Sequence, residues 1–380
     1  MMELRCMNDD ILMQVLSKLS TKDVHMLKCV AKEWHNLILD RSFICLQLKK
    51  TEAVSGFFFQ ARFQWCDEDI NNISYIPLET RKTQVHSTVL NFLPEEVGIL
   101  ASCNGLLCCR SSYPRYPPLI YVCNPLNKQW MSVNSVHYST SASAALVFDP
   151  FKLHKDDASP NFKIVTVSET ESEDEQSKFA FQIYSSETGK WRQSREMCHC
   201  NQKLFKMNGI FADGSLYWLM DGDKILMFNP ETELSWLLNV PLPITEFRSI
   251  PEICIGESKG KLHCVLLSEY GLQLWALEDF FTSQWNLTCS VSLDKLEEEN
   301  SQFLYQIAEK LATRDTFCWI KVFAFKDGIL FLSVSSHFYS YDFATRKMKK
   351  LCAISDLGPN SREFPMVVPY TMSLVPLGPV

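Results

Sequence analysis

A unit that recurs along most of the chain constrains the fold more than any other feature of the sequence. Each copy consists of a glycine, an apolar strand, a gap, a second apolar strand, a tight turn and a large closing side chain. The clearest copies begin at Gly105, Gly214, Gly260 and Gly328, and residues 181–191 are a partial copy. Repeats of roughly 45 to 63 residues that are typical of strands fit one four-stranded sheet per repeat. The pattern therefore predicts a β-propeller.

The parts of this unit have separate physical roles. An Asn-Gly or Asp-Gly pair before a strand supplies the positive φ values that a tight hairpin turn needs. Continuous apolar runs suit strands that are covered on both faces. A tryptophan in each unit is expected to fill the wedge between neighbouring blades, because a large flat side chain buries the most area there. The closing residues are Trp130, Trp191, Trp236, Trp285 and Met348.

The number of blades is expected to be about six. Besides the five units, residues 46–48, 57–59 and 73–76 are apolar and could form the strands of another blade. The C-terminal residues 370–375 are expected to be a strand that closes the ring. Between two units, residues 296–313 have helical spacing and predict an amphipathic helix that packs on the propeller, with contact to a target as the alternative. Its apolar face consists of Phe303, Leu304, Ile307, Ala308 and Leu311.

The first fifty residues have a helical pattern instead. One apolar stripe of a first helix consists of Ile11, Leu12, Val15, Leu16 and Leu19. Ser20 and Asp23 form a capping box that begins a second helix, and a third helix is predicted to end near Asp40. Three short helices cannot bury all their apolar side chains among themselves. We therefore expect either the following domain or a partner protein to cover the remainder.

Residues 7–43 resemble the plant F-box, whose usual form begins Leu-Pro-x-Asp-Ile-Leu and continues to Lys-Cys-Val-Ser-Lys-x-Trp. The chain follows that order without gaps, from Asp10-Ile11-Leu12 to Lys28-Cys29-Val30 and Trp34. It departs from the motif at the opening, where Met7-Asn8 replaces Leu-Pro. It also has Ser20 where proline is common, and Ala31 for the usual serine.

The resemblance to the F-box implies a docking site for the adaptor Skp1, which the family binds partly through the Leu-Pro loop. For each residue the alternative is an ordinary role in packing the helices together. The residues that would touch the adaptor, or hold the helices that do, are Met7, Asn8, Ile11, Leu12, Leu16, Val24, Leu27, Cys29, Val30, Lys32 and Trp34.

The repeated unit resembles the F-box-associated domain of plant F-box proteins, a kelch-like propeller. Its hallmarks are Ser-Cys-Asn-Gly-Leu-Leu, here residues 102–107, and Asn-Pro-x-x-Lys-x-Trp, here residues 124–130. The predicted fold is thus an α+β multidomain protein. A small three-helix F-box occupies residues 1–48, and an all-β propeller occupies residues 49–380.

The resemblance implies a substrate-recognition subunit of an SCF-type (Skp1–cullin–F-box) ubiquitin ligase. The F-box would bind Skp1 and through it cullin, while the propeller would hold a protein target through loops such as 113–118, 152–161 and 197–202. The chain would not itself be an enzyme, and would act in the nucleus, the cytoplasm or both. Two alternatives remain: a propeller enzyme or sugar-binding propeller with a degenerate F-box, and a Skp1-binding scaffold that causes no degradation.

Other features of the sequence predict no catalytic, cofactor or metal site. Cys198-His199-Cys200 has metal-ligating residue types, but adjacent residues cannot all reach one tetrahedral ion, so an ordinary loop is the favoured interpretation. The acidic run at 168–177 is interpreted as a solvated loop, with a phosphorylation or basic-substrate site as the alternative.

Composition restricts the partners. The net charge of −7 disfavours non-specific binding to nucleic acid. No stretch has the length or apolarity of a membrane span, and no signal peptide is evident at the N-terminus. The 15 cysteines are therefore expected to be reduced.

Overall fold

The structure is a computed structural model that begins with a group of helices and continues as a ring of β-sheets. It describes residues 9–49, 54–60, 73–78, 85–86, 89–112, 117–134, 143–150, 161–171, 177–204, 209–242, 247–248, 250–312, 319–357 and 365–377.

Four helices form the N-terminal part: α1 Asp9–Leu16, α2 Thr21–Leu27, α3 Lys32–Leu39 and α4 Arg41–Lys49. The predicted cap of α2 is present, since the Ser20 hydroxyl accepts a hydrogen bond from the Asp23 amide at 3.1 Å. The fourth helix was not predicted. Asp40 has an extended backbone and its carboxylate accepts from the Ser42 amide at 2.8 Å, so α3 ends there and α4 begins. The prediction of a strand at 46–48 is therefore wrong.

The described strands follow in chain order, with two helices and one turn of 3₁₀-helix among the residues that the structure describes. They are β1 Gly56–Gln60, β2 Ile73–Pro77, β3 Val97–Cys103, β4 Leu106–Ser111, β5 Leu119–Asn124, β6 Gln129–Asn134, β7 Ser143–Phe148, β8 Phe162–Glu171, β9 Ser177–Ser185, β10 Lys190–Cys200, β11 Ile210–Ala212, β12 Ser215–Leu219, β13 Lys224–Asn229, β14 Leu234–Asn239, β15 Glu252–Ser258, β16 Lys261–Ser268, β17 Gly271–Asp279, β18 Gln284–Val291, α5 Leu293–Glu299, α6 Ile307–Ala312, β19 Ile320–Lys326, β20 Ile329–Val334, β21 His337–Asp342, β22 Lys347–Ala353, the 3₁₀ turn Ile354–Leu357 and β23 Met366–Tyr370.

The described strands form six antiparallel units. Strands β3–β6, β7–β10 and β11–β14 are separate four-stranded sheets, while β15–β18 and β19–β22 join through a short parallel pairing of β15 with β19. The sixth unit has the order β2-β1-β23. The innermost strands contact one another in the sequence β23, β3, β7, β11, β15, β19 and back to β23. This closed ring confirms the predicted propeller, and we number its blades 1 to 6 from the unit that contains β1.

The ring is closed by pairing the two ends of the propeller sequence. In blade 1, Phe58 lies opposite Tyr75 of β2 and opposite Val368 of β23. The closing strand is thus Met366–Tyr370, and the prediction of a strand at 370–375 is wrong beyond its first residue. Residues 371–377 continue as irregular backbone, and side chains of blade 2 bind the carbonyl groups of residues 373–375, as described below.

The predicted hairpin turns are present. Asn104 and Gly105, between β3 and β4, have φ values of 45° and 86°, and residues 213–214 and 327–328 repeat this pair of positive values. Both central residues of such a turn need positive φ, which an Asn-Gly or Asp-Gly pair tolerates.

The tryptophans that close the units lie on outer strands and are less buried than predicted. Trp130 is 40% exposed. The indole N–H of Trp191 donates to the Asn134 carbonyl of the preceding blade at 2.8 Å, and that of Trp285 donates to the Asn239 carbonyl at 2.9 Å. These residues therefore join blades by hydrogen bonds at the rim. The wedges themselves contain other apolar residues, such as Phe181 and Phe228, whose rings stack with centroids 4.1 Å apart.

The predicted helix at 296–313 is instead two short helices, α5 and α6. The side chain of Asn300 ends α5 by donating to the Leu296 carbonyl at 3.0 Å and accepting from the Met348 amide at 2.7 Å. The carboxylate of Glu297 then accepts from the amides of Gln306 and Ile307 at 2.9 and 3.0 Å, which begins α6. Of the predicted apolar face, Leu304 and Ile307 are buried and Ala308 is exposed.

Cys198-His199-Cys200 lies in strand β10, so its interpretation as a loop is wrong. Both cysteines are buried and His199 is exposed, as the alternation of a strand requires. Burial raises the pKa of the Cys198 thiol to about 11. Among the described residues, no group of three or more His, Cys, Asp or Glu side chains could hold a metal ion.

Candidate functional site

Four large apolar side chains of the helical domain are about half exposed or more in the described chain. Ile11 and Val15 of α1 are 53% and 49% exposed. Met26 of α2 is 56% exposed, and Val30, just before α3, is 63% exposed. A cluster of large apolar side chains with this exposure on one small domain marks a protein-interaction surface. We call these four residues the helical docking face.

The predicted adaptor-binding residues divide into three groups by exposure. Ile11, Cys29, Val30 and Lys32 are exposed, whereas Leu12, Leu27 and Trp34 are half-buried. Leu16 and Val24 are buried at 2% and 0% exposure, and they hold the helices together. Met7 and Asn8 lie outside the described residues.

Val15 and Met26 belong to the exposed face, although the motif did not single them out. Periodicity places Val15 on the apolar stripe of α1, but exposure depends on which side the propeller covers. That side is set by contacts with residues far away in the chain, so the sequence pattern alone does not identify it.

The opposite side of the helical domain rests on blade 2 of the propeller. Val24, Ile38, Phe43 and Ile44 join one apolar cluster with Leu106 and other buried residues of that blade. The Lys28 ammonium donates to the Asn127 side-chain oxygen at 3.3 Å. Partial burial lowers the pKa of Lys28. Burial and the charge of Lys28 lower the pKa of His25.

The C-terminal residues 373–377, which we call the strap, lie between the helical domain and blade 2. The Asn124 amide donates to the carbonyls of Ser373 and Val375 at 2.9 and 2.8 Å. Asn127 donates to the carbonyls of Leu374 and Val375, both at 3.1 Å. Two asparagines of blade 2 thus satisfy the carbonyl groups that a strand partner would otherwise bind.

Apolar side chains of the strap complete this junction. Leu374, Val375 and Leu377 belong to the same buried cluster as Val24 and Ile38 of the helical domain. The turn at Gly105 also packs on the strap, because a Cβ there would lie 2.1 Å from the Ser373 Cβ. Both hallmark segments, 102–107 and 124–130, therefore contact the strap that the helical domain covers.

The propeller has two faces that differ in their connections. We call the face that carries the strap and the helical domain the proximal face, and the opposite face the distal face. Because strands alternate in direction, turns such as 104–105, 213–214 and 327–328 are proximal, and the connections from β14 to β15 and from β18 to β19 are distal. The distal connection from β18 to β19 contains α5 and α6.

The loops that were predicted to bind a target are only partly described. Residues 113–116 and 151–160 lie outside the described residues, and 197–200 belong to β10. The strand ends that flank 152–161 are proximal, since the Phe148 carbonyl accepts from the Asn104 side chain at 2.7 Å. The segment from 201 begins at the distal face.

The inner strands of blades 5 and 6 carry an ion pair between Lys326 and Glu257. Burial disfavours the charge on Lys326, but Glu257 and Asp327 outweigh burial and raise its pKa. Burial also raises the pKa of the nearby Cys103 thiol to about 12, so the thiol is protonated at neutral pH. The two charged groups satisfy each other and join two blades.

Within the described segments, no helix is both long and apolar enough to cross a membrane.

The fold and the docking face define a class: proteins with a helical F-box domain joined to a β-propeller. A model of the F-box domain matches residues 4–46. The model described as "F-box protein At3g26010-like, beta-propeller" matches residues 64–304, which is more than half of the chain. The chain belongs to this family of F-box proteins.

Similar proteins include F-box proteins of Arabidopsis thaliana. F-box protein At5g49610 is 26% identical over 310 residues, which cover 75% of this chain and 79% of the relative. F-box protein At5g07610 is 23% identical over 380 residues, which cover 92% and 86%.

Among solved structures, TolB from Acinetobacter baumannii matches with a TM-score of 0.40 and 11% identity, covering 86% of this chain and 71% of TolB. YCF48 bound to D1 peptide matches with a TM-score of 0.39 and 8% identity, covering 80% and 82%. Both TM-scores are too low to support an argument about function.

Proposed function

We propose that this protein is the substrate-recognition subunit of an SCF-type ubiquitin ligase in the nucleus, the cytoplasm or both. In this proposal the F-box binds a Skp1-like adaptor, and through it a cullin, while the propeller binds a protein target. The observation that carries the proposal is the helical docking face, because Ile11, Val15, Met26 and Val30 expose apolar surface that the described chain does not cover. An F-box domain is the part of such proteins that supplies this contact.

In this proposal the two faces of the propeller serve different partners. The helical domain and strap occupy the proximal face, and long connections such as 292–319 leave the strand ends at the distal face. A target on the distal face would be held at a fixed distance from the adaptor. The ligase complex would then accelerate transfer of ubiquitin by proximity, with no chemical group from this chain.

The docking claim is tested by binding of purified Skp1 to the full chain carrying Ile11→Asp and Val30→Asp. Both side chains are exposed, so the variant is expected to fold, and a charge in an apolar interface opposes binding. We expect Skp1 affinity to fall at least about tenfold, which corresponds to ~1.4 kcal/mol.

The matched control is Leu287→Asp, which changes a 41% exposed leucine on β18 of the propeller. It should retain the affinity of the parent protein. Equal Skp1 binding by the double variant and this control would refute the docking claim.

A scaffold that binds Skp1 without degradation makes a different prediction. Proteins bound to the propeller would have the same half-life in cells with and without this gene. The proposal instead expects at least one bound protein to persist longer in cells that lack the gene. The same difference should appear when the gene is replaced by the Ile11→Asp, Val30→Asp variant.

A further inference from the structure

We infer that a surface over blade 5 on the distal face binds a target segment in which a large apolar side chain is flanked by Lys or Arg. This inference rests on the proposed function and adds a location and a partner chemistry to it. The surface, which we call the blade 5 patch, consists of Phe247, Ile250 and Tyr270.

Exposed apolar side chains carry the first part of the argument. Ile250 is 86% exposed and Tyr270 is 54% exposed, and the rings of Phe247 and Tyr270 lie 5.7 Å apart. Ile250 precedes β15 by two residues, and β15 begins with Glu252 opposite Leu267. That register brings Ile250 toward the turn at 269–270, so the three side chains belong to one surface. Exposed apolar groups that lie together on a folded surface indicate a contact with another molecule.

The backbone beneath this patch is held in place. The Arg248 amide donates to the Glu269 carboxylate at 2.7 Å, which ties the two segments together. A Cβ on Gly271, where φ is 104°, would lie 2.2 Å from the Val291 carbonyl oxygen and 3.0 Å from the Ser292 Cα. The turn that carries Tyr270 therefore packs against the N-cap of α5. A surface held in this way loses little conformational entropy when it binds a partner.

The charges around the patch determine the chemistry of the partner. The end of α5 reaches the turn after β21, where the Lys347 ammonium donates to the Glu299 carbonyl at 3.0 Å, so only its first part belongs to the distal face. The described distal residues at 220–223, 240–251, 269–270 and 292–298 include six acidic and two basic residues. The acidic residues are Asp221, Asp223, Glu269, Asp294, Glu297 and Glu298, and the basic residues are Arg248 and Lys295.

Two of these carboxylates, Asp294 and Glu298, lie four residues apart on the exposed side of α5, which begins beside the patch. Lys295 is exposed on the same helix and partly offsets them. Complementary charge favours a partner that presents cations next to its apolar side chain.

A display experiment tests the inference although the target protein is unidentified. The full chain is immobilised and used to select from a phage-displayed library of random 12-residue peptides. We expect the enriched peptides to combine an aliphatic or aromatic residue with an excess of Lys and Arg. The Ile250→Asp variant should bind a synthetic copy of the most enriched peptide at least about tenfold more weakly. Leu287→Asp should bind it as the parent protein does.

Charge variants test the second half of the inference. Asp294→Lys with Glu298→Lys should weaken binding of the same peptide by about three- to tenfold, and the effect should shrink at high salt. Lys295→Glu, on the same helix, should strengthen it. Acidic enriched peptides, no enrichment on the parent protein, or equal binding by Ile250→Asp would each overturn the inference. Skp1 affinity, measured on the same variants, should not change, so failure here is distinguishable from failure of the F-box docking claim.

Discussion

Asn124 and Asn229 occupy equivalent positions in two blades, where each precedes a proline at the turn after the third strand. Both side-chain oxygens accept from backbone amides of their own turn, at 3.0 Å from Leu126 and 2.9 Å from Glu231. The side-chain NH₂ groups of the two asparagines donate to different partners. That of Asn124 donates to two carbonyls of the strap, whereas that of Asn229 donates to the Ser215 hydroxyl at 3.3 Å. One residue type thus serves as a local turn former in blade 4 and as a long-range anchor in blade 2.

Asn124→Ala is therefore expected to cost more stability than Asn229→Ala. Asn124 is fully buried, so its loss leaves the Ser373 carbonyl without its donor and the Val375 carbonyl with Asn127 as its remaining donor. We expect the free energy of unfolding to fall by about 1–3 kcal/mol more for Asn124→Ala than for Asn229→Ala. Chemical denaturation of both variants measures the difference. Equal losses would mean that the strap bonds contribute nothing beyond the turn.

At the scale of elements, helix α2 connects the F-box to blade 2 through groups that titrate. His25 is half-buried, and burial, the charge of Lys28 and that of Lys128 lower its pKa, while a hydrogen bond with Asn127 opposes them. The folded state therefore favours the neutral imidazole. The unfolded state, with the ordinary value of 6.5, takes up the proton first as pH falls.

We expect the stability of the protein to decrease as pH falls below about 6.5 and to stop depending on His25 once pH is below the folded pKa. His263, whose pKa burial also lowers, contributes in the same direction. His25→Gln should reduce this pH dependence and leave the part due to His263. Denaturation curves between pH 7.5 and pH 5.5 give the free energy of unfolding of the parent and of the variant. A difference between these two free energies that stays constant over this pH range would contradict the assignment to His25.

The sequence predicts elements well where local chemistry decides them. The Asn104-Gly105 turn and the Ser20 cap follow from adjacent residues, and both predictions are confirmed. The sequence predicts an element poorly where a contact with a distant residue determines its structure. The interruption at Asn300 depends partly on the backbone of Met348, and the irregular course of the strap depends on Asn124 and Asn127. A periodic pattern of apolar residues contains no information about contact partners that are tens or hundreds of residues away.

At the scale of the whole molecule, the strap makes the F-box and the propeller one body. Leu374 and Val375 are 2% and 0% exposed between them. Leu16, Val24 and Phe43 of the F-box belong to the same apolar cluster as the strap, so without this contact the F-box would lose part of the surface on which its helices rest. Its docking face would remain, but its orientation relative to the distal face would no longer be fixed.

Leu374→Asp with Val375→Asp is expected to release the F-box from blade 2. Spin labels at Lys22 and Glu187, which are exposed on α2 and on a proximal turn, should give one narrow distance distribution in the parent protein and a broad one in the variant. Skp1 affinity should change little, because the variant does not alter the helical docking face. A distribution that stays narrow would show that the strap does not hold the F-box.

The position of the strap also affects how the protein is made. Ribosomes synthesise residues 9–49 before the propeller, but the surface on which these helices rest includes residues 374–377. At ~5–20 residues per second, the intervening chain takes on the order of tens of seconds to emerge. Throughout that interval blade 2 can contact the helices, but the part of the surface beneath them that Leu374, Val375 and Leu377 form is missing. The complete contact between the F-box and the propeller can therefore form only after the strap has emerged, although translation delivers the F-box before the propeller.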